Sequence, residues 1–174
     1  MSGQQALATP AMKNERLHLL VSIAEQRLRL YDGARLLREY VVSTAANGPG
    51  EQAGSNCTPR GQHVICEKIG AGAALGTVFK GRQPTGEVLT PLQLEHMSTG
   101  DWITTRILWL EGLEDGKNRG GSVDTRARLI YIHGCADEKS LGNPVSHGCI
   151  RMKNLEIVEL FDKVSVGTQI AIKE

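Results

Sequence analysis

The sequence predicts a mostly β protein with one or two helices, and three observations predict this class. Short stretches in which apolar and polar residues alternate recur along the chain, as in strands with one buried face. Turn-forming segments separate these stretches, and the 174 residues include 20 glycines. Only one segment repeats its apolar residues with the helical period. The length is close to that of one domain. We therefore expect a flexible lead-in over 1–15, which is polar and without period, and a single domain over 16–174.

Seven strands are predicted from the alternating and apolar stretches. The first three should form an antiparallel meander, because turn residues at Glu25-Gln26 and Asp32-Gly33 separate them. The predicted strands are 17–23, 27–31, 36–43, 62–68, 103–111, 129–133 and 168–173. The predicted loops are 44–61, 114–124 and 134–148. The Gly-rich stretch 69–100 has too little periodicity to be assigned.

The single clear helix lies near the C-terminus. Asn154 is its predicted N-cap, since an Asn side chain can accept a hydrogen bond from a backbone N–H of the first turn. Gly167 is predicted to end it. The apolar positions that repeat with the helical period are Ile157, Leu160, Phe161 and Val164.

Composition and charge exclude several classes of function. The net charge is +1 and aromatic residues make up 4% of the chain, so neither a polyanion-binding surface nor a base-stacking platform is expected. No apolar window is long enough to span a membrane. The N-terminal residues lack the pattern of a secretory signal. We therefore expect a cytoplasmic location, with a periplasmic one as the alternative if an export signal is missing from this sequence.

Two short segments concentrate reactive side chains. His133-Gly134-Cys135 follows a predicted strand, and Ser146-His147-Gly148-Cys149-Ile150-Arg151 begins soon afterwards. A thiol nucleophile needs a base, a group that orients the base, and donors for the oxyanion. The end of a strand holds the ring of His133 in place, and a tight turn after Gly148 exposes the Cys149 thiol. The pattern therefore favours a cysteine-dependent active site.

A zinc site is the alternative interpretation of the same residues. Two imidazoles and two thiolates form a set that zinc accepts, from His133, Cys135, His147 and Cys149. One residue separates the ligands of each pair, whereas zinc sites usually have two to four. The spacing disfavours zinc, and we expect no metal and no cofactor.

These segments resemble the catalytic core of the L,D-transpeptidase (YkuD-like) family, in which His-Gly is followed by Ser/Thr-His-Gly-Cys. Thr58-Pro59-Arg60-Gly61 is similar to the family's Thr-Pro-x-Gly turn. The resemblance covers roughly 17–174, with an enlarged region around 69–127. It implies a mixed-sheet β-sandwich with the active cysteine in a groove. Cys135 departs from the threonine that is common there, and a second thiol near the base would make the site oxidisable.

The resemblance also implies acyl transfer on peptidoglycan stem peptides. Cys149 would attack the L-centre carbonyl of the third stem residue, usually diaminopimelate, and release the terminal D-alanine. His133 would be general base and then general acid, oriented by the carbonyl of Gly134. His147 would support the thiolate or the substrate. Backbone N–H groups of Gly148 and Cys149 would form the oxyanion hole.

Two further residues carry alternatives. Arg151 is suited to a substrate carboxylate, because a guanidinium can form two parallel hydrogen bonds with it. The alternative for Arg151 is an ion pair that braces the loop. Ser146 contacts the substrate or stabilises the turn with its hydroxyl.

The acceptor of the acyl group separates two enzymatic functions. An L,D-carboxypeptidase uses water, and we favour it, as a step of muropeptide recycling, because a cytosolic enzyme meets soluble muropeptides and four unpaired thiols suit a reducing compartment. The alternative is an L,D-transpeptidase that cross-links peptidoglycan. A more distant alternative is a zinc-bound structural domain. The expected partners are stem tetrapeptides or soluble muropeptides.

Overall fold

The computed structural model describes residues 16–97 and 100–174. The predicted lead-in over 1–15 lies outside the described residues. The strands are β1 (Leu17–Ser22), β2 (Arg27–Asp32), β3 (Arg35–Val41), β4 (Gly61–Ile69), β5 (Thr77–Lys80), β6 (Gln83–Val88), β7 (Ile103–Gly112), β8 (Tyr131–Gly134), β9 (Ile150–Met152) and β10 (Gln169–Lys173). The helices are α1 (Pro91–His96) and α2 (Asn154–Lys163), with short 3-10 turns at Gly121–Val123 and Glu138–Ser140. None of the helices in the described part of the chain has the length and apolar character needed to cross a bilayer.

The described strands form one mixed sheet. Its order is β3-β2-β1-β10-β4-β7-β5-β6, and β8 lies between β7 and β9. Two pairs, β1 with β10 and β8 with β9, are parallel, and the other pairs are antiparallel. The predicted class, a mostly β fold with a mixed sheet and two helices, is confirmed.

The main core lies between the sheet and α2, which packs on β7 and β8. Alternation along the strands buries one face of each, and the helical period buries one side of α2. Each fully buried aliphatic side chain contributes about 1.5–3 kcal/mol relative to an exposed one. Core residues include Leu19, Val21, Leu28, Leu30, Leu108, Leu110, Ile132, Ile150, Ile157, Leu160, Ile170 and Ile172.

All seven predicted strands are present, and the differences lie at their ends. β3 ends at Val41 rather than at Ser43, and β8 begins at Tyr131 rather than at Leu129. Leu129 has a φ of 58°, in the left-handed region, so it cannot continue an extended strand. This kink turns the chain into β8 just before the candidate site.

The N-cap prediction for Asn154 is wrong. Lys153 occupies the N-cap position, and Asn154 is the first helical residue of α2. The Asn154 side chain is buried and bonds to groups outside the helix, where it accepts hydrogen bonds from the hydroxyls of Thr104 and Thr105. Partners distant in sequence therefore outweigh the local preference of Asn for the cap.

The stretch that the sequence left unassigned contains a hairpin and a helix. β5 and β6 pair around Gly81 and Arg82, whose φ values of 55° and 63° give the tight hairpin turn. Every residue of β6 is exposed, so β6 carries no alternation for a sequence pattern to detect. Thr90 is the N-cap of α1, and its side chain accepts a hydrogen bond from the Gln93 N–H in a capping box.

Candidate active site

The reactive residues project from one face of the parallel β8–β9 pair. Alternation sends Ile132 and Ile150 into the main core and leaves His133, Cys149 and Arg151 on the opposite face. The register pairs His133 with Arg151 on neighbouring strands, which lie about 4.8 Å apart. The sheet therefore brings together residues that the chain separates by the loop 134–148.

The Cys149 thiol is held beside the start of β8. The Tyr131 N–H points at Sγ from 3.3 Å, and the thiol donates to the carbonyl oxygen of Leu129 at 3.4 Å. Burial raises the pKa of Cys149 to about 12, against the opposing effect of the Tyr131 N–H. The Cys149 thiol is therefore protonated at rest and would need a base to act as a nucleophile.

His133 is fully buried, and its Nε2 is the ring nitrogen that could accept a proton from the thiol. Its Nδ1–H donates to the Gly134 carbonyl at 2.6 Å, since a carbonyl oxygen can only accept. Nε2 is buried and makes no hydrogen bond with any residue that the structure describes. Burial lowers the pKa of His133, so the ring is neutral near neutral pH and Nε2 carries the lone pair. This is the tautomer that a general base requires, and the catalytic role itself stays a prediction.

Gly134 is glycine for a steric reason. A Cβ at this position would overlap Asn154 Oδ1 and lie 2.6 Å from the carbonyl oxygen of Thr104. Asn154 also donates to the carbonyl of Cys135 at 2.7 Å. This packing holds the end of β8, and with it the carbonyl that orients His133.

The turn before the nucleophile is stabilised by its own hydroxyl. Ser146 is 1% exposed, donates through Oγ to the Cys149 carbonyl at 2.6 Å, and accepts the Gly148 N–H at 3.2 Å. The structure therefore supports the turn-stabilising alternative for Ser146, and the predicted substrate contact is not available to its buried hydroxyl. The Gly148 N–H is engaged by Ser146, which disfavours it as an oxyanion donor, and this role of Gly148 stays a prediction. The Cys149 N–H stays a prediction.

Thr58 braces the same turn from the loop 44–61. Its hydroxyl donates to the Gly148 carbonyl at 2.9 Å and accepts the Ala45 N–H at 3.0 Å. A Cβ on Gly148 would lie 3.2 Å from the Cys57 carbonyl oxygen, and Gly148 has a φ of 130°. Only glycine fits there without displacing the loop.

Asp101, which the sequence analysis did not select, joins two of the predicted residues. Its Oδ1 lies 2.8 Å from Arg151 Nη2, and its Oδ2 lies 3.4 Å from Nδ1 of His147. The side chain of Arg151 is 9% exposed, whereas that of His147 is 64% exposed. Arg151 therefore fits the ion-pair alternative, and its role as a receptor for a substrate carboxylate stays a prediction that the pairing with Asp101 disfavours.

Arg128 is a second residue that the sequence analysis missed. Its half-buried guanidinium donates to three carbonyls of the loop beside the nucleophile turn, those of Gly50, Glu51 and Cys57. No described carboxylate forms an ion pair with it, and burial lowers its pKa. Arg128 and His147 line a cavity of about 280 Å³ together with Asp124 and Ile130.

A second cavity, of about 580 Å³, lies on the Asp101 side of the site. Its walls come from β5, β6 and the segment before β7, and include Phe79, Glu87, Asp101 and Trp102. The hairpin of the enlarged region therefore forms one wall of the groove near the site.

The zinc alternative finds no support in the geometry. Within residues 16–97 and 100–174, no three His, Cys, Asp or Glu side chains converge in the way that a metal ion requires. Cys135 is buried, donates to the Met152 carbonyl at 3.5 Å, and has a pKa raised to about 11 by burial. The four predicted ligands therefore do not form one site.

The missed residues share a reason. Asp101 and Thr58 lie far from the motif in sequence, and Arg128 stands five residues before His133 in a segment without periodicity. Thr58 does carry a signal in the sequence, because it stands in the Thr-Pro-x-Gly turn. Asp101 and Arg128 stand in segments that no motif marked.

Comparisons with known proteins agree with the motif. A family model described as YkuD, the L,D-transpeptidase catalytic domain, matches residues 16–172. A Bacillus licheniformis protein that carries the name L,D-transpeptidase YkuD is 24% identical over 99% of this chain and 76% of its own. A Bacillus subtilis protein that carries the name L,D-transpeptidase YqjB is 48% identical over 29% of this chain and 28% of its own.

A solved structure shares the fold. An L,D-transpeptidase from Mycobacterium smegmatis aligns with a TM-score of 0.54 and 18% identity, over 91% of this chain and 59% of the other. The matched parts of the Mycobacterium smegmatis and Bacillus subtilis chains are thus less than two thirds of their lengths.

Proposed function

Because this chain belongs to the L,D-transpeptidase family, we propose that it is a cysteine-dependent acyltransferase acting on peptidoglycan stem peptides. The observation that carries the proposal is the arrangement on the β8–β9 face. Cys149 and His133 project from it together, and the free Nε2 of a neutral ring is positioned by the Gly134 carbonyl.

The first half of the reaction forms an acyl-enzyme. As Cys149 Sγ attacks the L-centre carbonyl of the third stem residue, the thiol proton passes to Nε2 of His133. The tetrahedral intermediate collapses when the carbon–nitrogen bond to D-alanine breaks and the imidazolium gives its proton to the leaving amine. A thioester remains on Cys149, and His133 is again neutral.

The second half depends on the acceptor. His133 removes a proton from water or from an amine, the acceptor attacks the thioester, and the proton returns to the Cys149 sulfur. Water gives an L,D-carboxypeptidase product, and the amine of a second stem gives a cross-link. The names of the relatives favour the amine. Four unbridged cysteines favour a reducing, cytoplasmic location in which water and soluble muropeptides prevail.

Arg128 is the cation best placed for a carboxylate of the stem. Its charge has no described carboxylate partner, in contrast to that of Arg151, and it lines the cavity beside His147. An acidic stem entering this cavity would gain from the cation without breaking an ion pair.

The test is to incubate the protein with a disaccharide tetrapeptide and to determine the masses of the products by mass spectrometry. Release of D-alanine without dimer indicates hydrolysis, and a dimer indicates cross-linking. Cys149→Ala is the control, and it should lose all turnover while its thermal unfolding stays that of the native chain. A wild-type protein that releases no D-alanine, or a Cys149→Ala variant within about tenfold of wild type, contradicts the proposal.

A further inference from the structure

We propose that Asp101 is a positioning residue of the active site, whose carboxylate compensates the charge of Arg151 beside the base His133 and fixes the His147 ring. The inference rests on the proposed function for the role of His133 as base. The geometry behind it is independent of any substrate.

The position of Asp101 follows from the sheet register. Thr104 of β7 pairs with Gly134 at the end of β8, so the residues before Thr104 extend past His133 and Gly134. Asp101 is three residues ahead of Thr104, at the entry to β7. Its carboxylate spans the site, with one oxygen on Arg151 and the other on His147.

The need for this carboxylate comes from Arg151. The register places Arg151 next to His133 on the neighbouring strand, and the Arg151 side chain is almost buried. A cation in a poorly hydrated place opposes protonation of a neighbouring imidazole, which a base must undergo. In the described part of the chain, Asp101 is the one carboxylate that pairs with Arg151.

The charges around His133 act in opposite directions. Burial lowers the pKa of His133 most, and Arg151 lowers it further, whereas the Gly134 carbonyl and Asp101 raise it. Burial opposes ionisation of Asp101, but the charges of His133 and Arg151 outweigh it and lower the pKa of Asp101. Asp101 also raises the pKa of Cys149, so it favours the neutral thiol at rest and the imidazolium once the proton has moved.

The groups that face His133 therefore come from three elements. They are Asp101 before β7, Arg151 on β9 and the Gly134 carbonyl at the end of β8, while His147 contacts Asp101. Burial raises the pKa of Cys149, and the charge of Arg128, which lines the cavity of about 280 Å³, opposes this effect. From this position the Asp101 carboxylate favours protonation of His133 without contacting the reacting atoms.

The decisive experiment titrates the His133 ring by 15N NMR in the substrate-free protein. Asp101→Asn should move the titration of His133 to lower pH by about one unit, because Arg151 is left uncompensated. Arg151→Met should move it to higher pH, and Asp101→Glu should restore the native titration. Asp115→Asn, which removes an exposed carboxylate elsewhere, is the matched control and should leave the titration unchanged.

Activity provides a second readout. Asp101→Asn should lower kcat/KM for D-alanine release by about tenfold or more near neutral pH, and the acid limb of the pH profile should move with the His133 titration. In an Arg151→Met background, Asp101→Asn should lower kcat/KM by a much smaller factor. If Asp101→Asn does not fold, Arg151→Met alone still tests the direction of the shift.

The outcomes separate this inference from the proposed function. A His133 titration that moves in neither variant, or in the same direction in both, overturns the role of Asp101. A protein that shows the predicted shifts but releases no D-alanine leaves the role of Asp101 standing and overturns the proposed function.

Discussion

At the scale of single residues, the site holds Cys149 and His133 in their uncharged forms. Burial raises the pKa of Cys149 and lowers that of His133, so the thiol and the imidazole are both neutral at rest rather than a preformed ion pair. In the proposed reaction a thiolate would therefore arise only as the proton moves to His133. Each histidine of the two His-Gly pairs has a different environment, and the difference can be tested.

We expect His133→Gln to reduce kcat/KM by about 10²–10⁴-fold, the usual contribution of a general base. His147→Gln should lower kcat/KM by about tenfold or less, because that ring is mostly exposed and contacts Asp101 rather than the thiol. Steady-state release of D-alanine measures both. Equal losses, or a larger loss for His147→Gln, would reverse the two roles.

Arg151→Lys tests whether Arg151 serves the ion pair with Asp101 or binds a substrate carboxylate. Lysine keeps the charge but cannot reproduce the guanidinium geometry toward Asp101, so we expect kcat/KM to fall by about tenfold. The factor should be the same for a tetrapeptide and for a substrate with amidated carboxylates. Arg119→Lys, at an exposed ion pair, is the matched control. A loss confined to the free carboxylate would restore Arg151 as a substrate receptor.

At the scale of elements, buried polar side chains fasten the irregular ends of strands near the site. Asn154 connects the start of α2 to β7 and to the residue after β8. Thr105, one of its partners, has a φ of 71°, where the pairing of β7 with β8 shifts register. The network keeps the end of β8 in place although the strand itself has only four residues.

We expect Asn154→Ala to lower the free energy of unfolding by about 2–4 kcal/mol, because several buried groups lose their hydrogen-bond partner. Asn143→Ala is the control, since Asn143 is exposed and should change stability by less than about 0.5 kcal/mol. Urea unfolding measures both variants. Similar stabilities for the two would show that the network has no structural role.

At the scale of the whole molecule, a histidine remote from chemistry ties stability to pH. His63 of β4 is buried, donates through Nδ1–H to the Gly61 carbonyl, and accepts the Thr125 hydroxyl at Nε2. Burial lowers the pKa of His63 to about 4. Below about pH 6.5 the unfolded chain binds a proton that the native chain does not, so acid favours unfolding.

We expect the contribution of His63 to the free energy of unfolding to be fully present above about pH 6.5. This contribution should fall by about 3 kcal/mol as the pH drops to about 4. His63→Gln should flatten that part of the profile, whatever its effect near neutral pH. Urea unfolding across this range is the measurement, and His96→Gln, at an exposed position, is the control. A His63→Gln profile as steep as that of wild type would assign the acid sensitivity to other groups.

The sequence by itself determined the strands with one buried face, the helix α2 and the motif that holds Cys149 and His133. Local periodicity and short-range spacing encode these features, because side-chain direction within an element follows from its own geometry. The exposed strand β6, the three-residue strand β9 and the true surroundings of Asn154 carry no such local signal. Each depends on a partner elsewhere in the chain.

The tertiary structure alone decided which residues complete the site. Asp101, Thr58 and Arg128 are brought to the nucleophile turn by strand register and loop packing, and sequence spacing does not reveal such contacts. The tertiary structure also decided the state of the motif residues, with Arg151 neutralised by Asp101 and Ser146 engaged in its turn. The physical reason is that charge, burial and hydrogen bonding depend on distance in space, whereas the sequence records order along the chain.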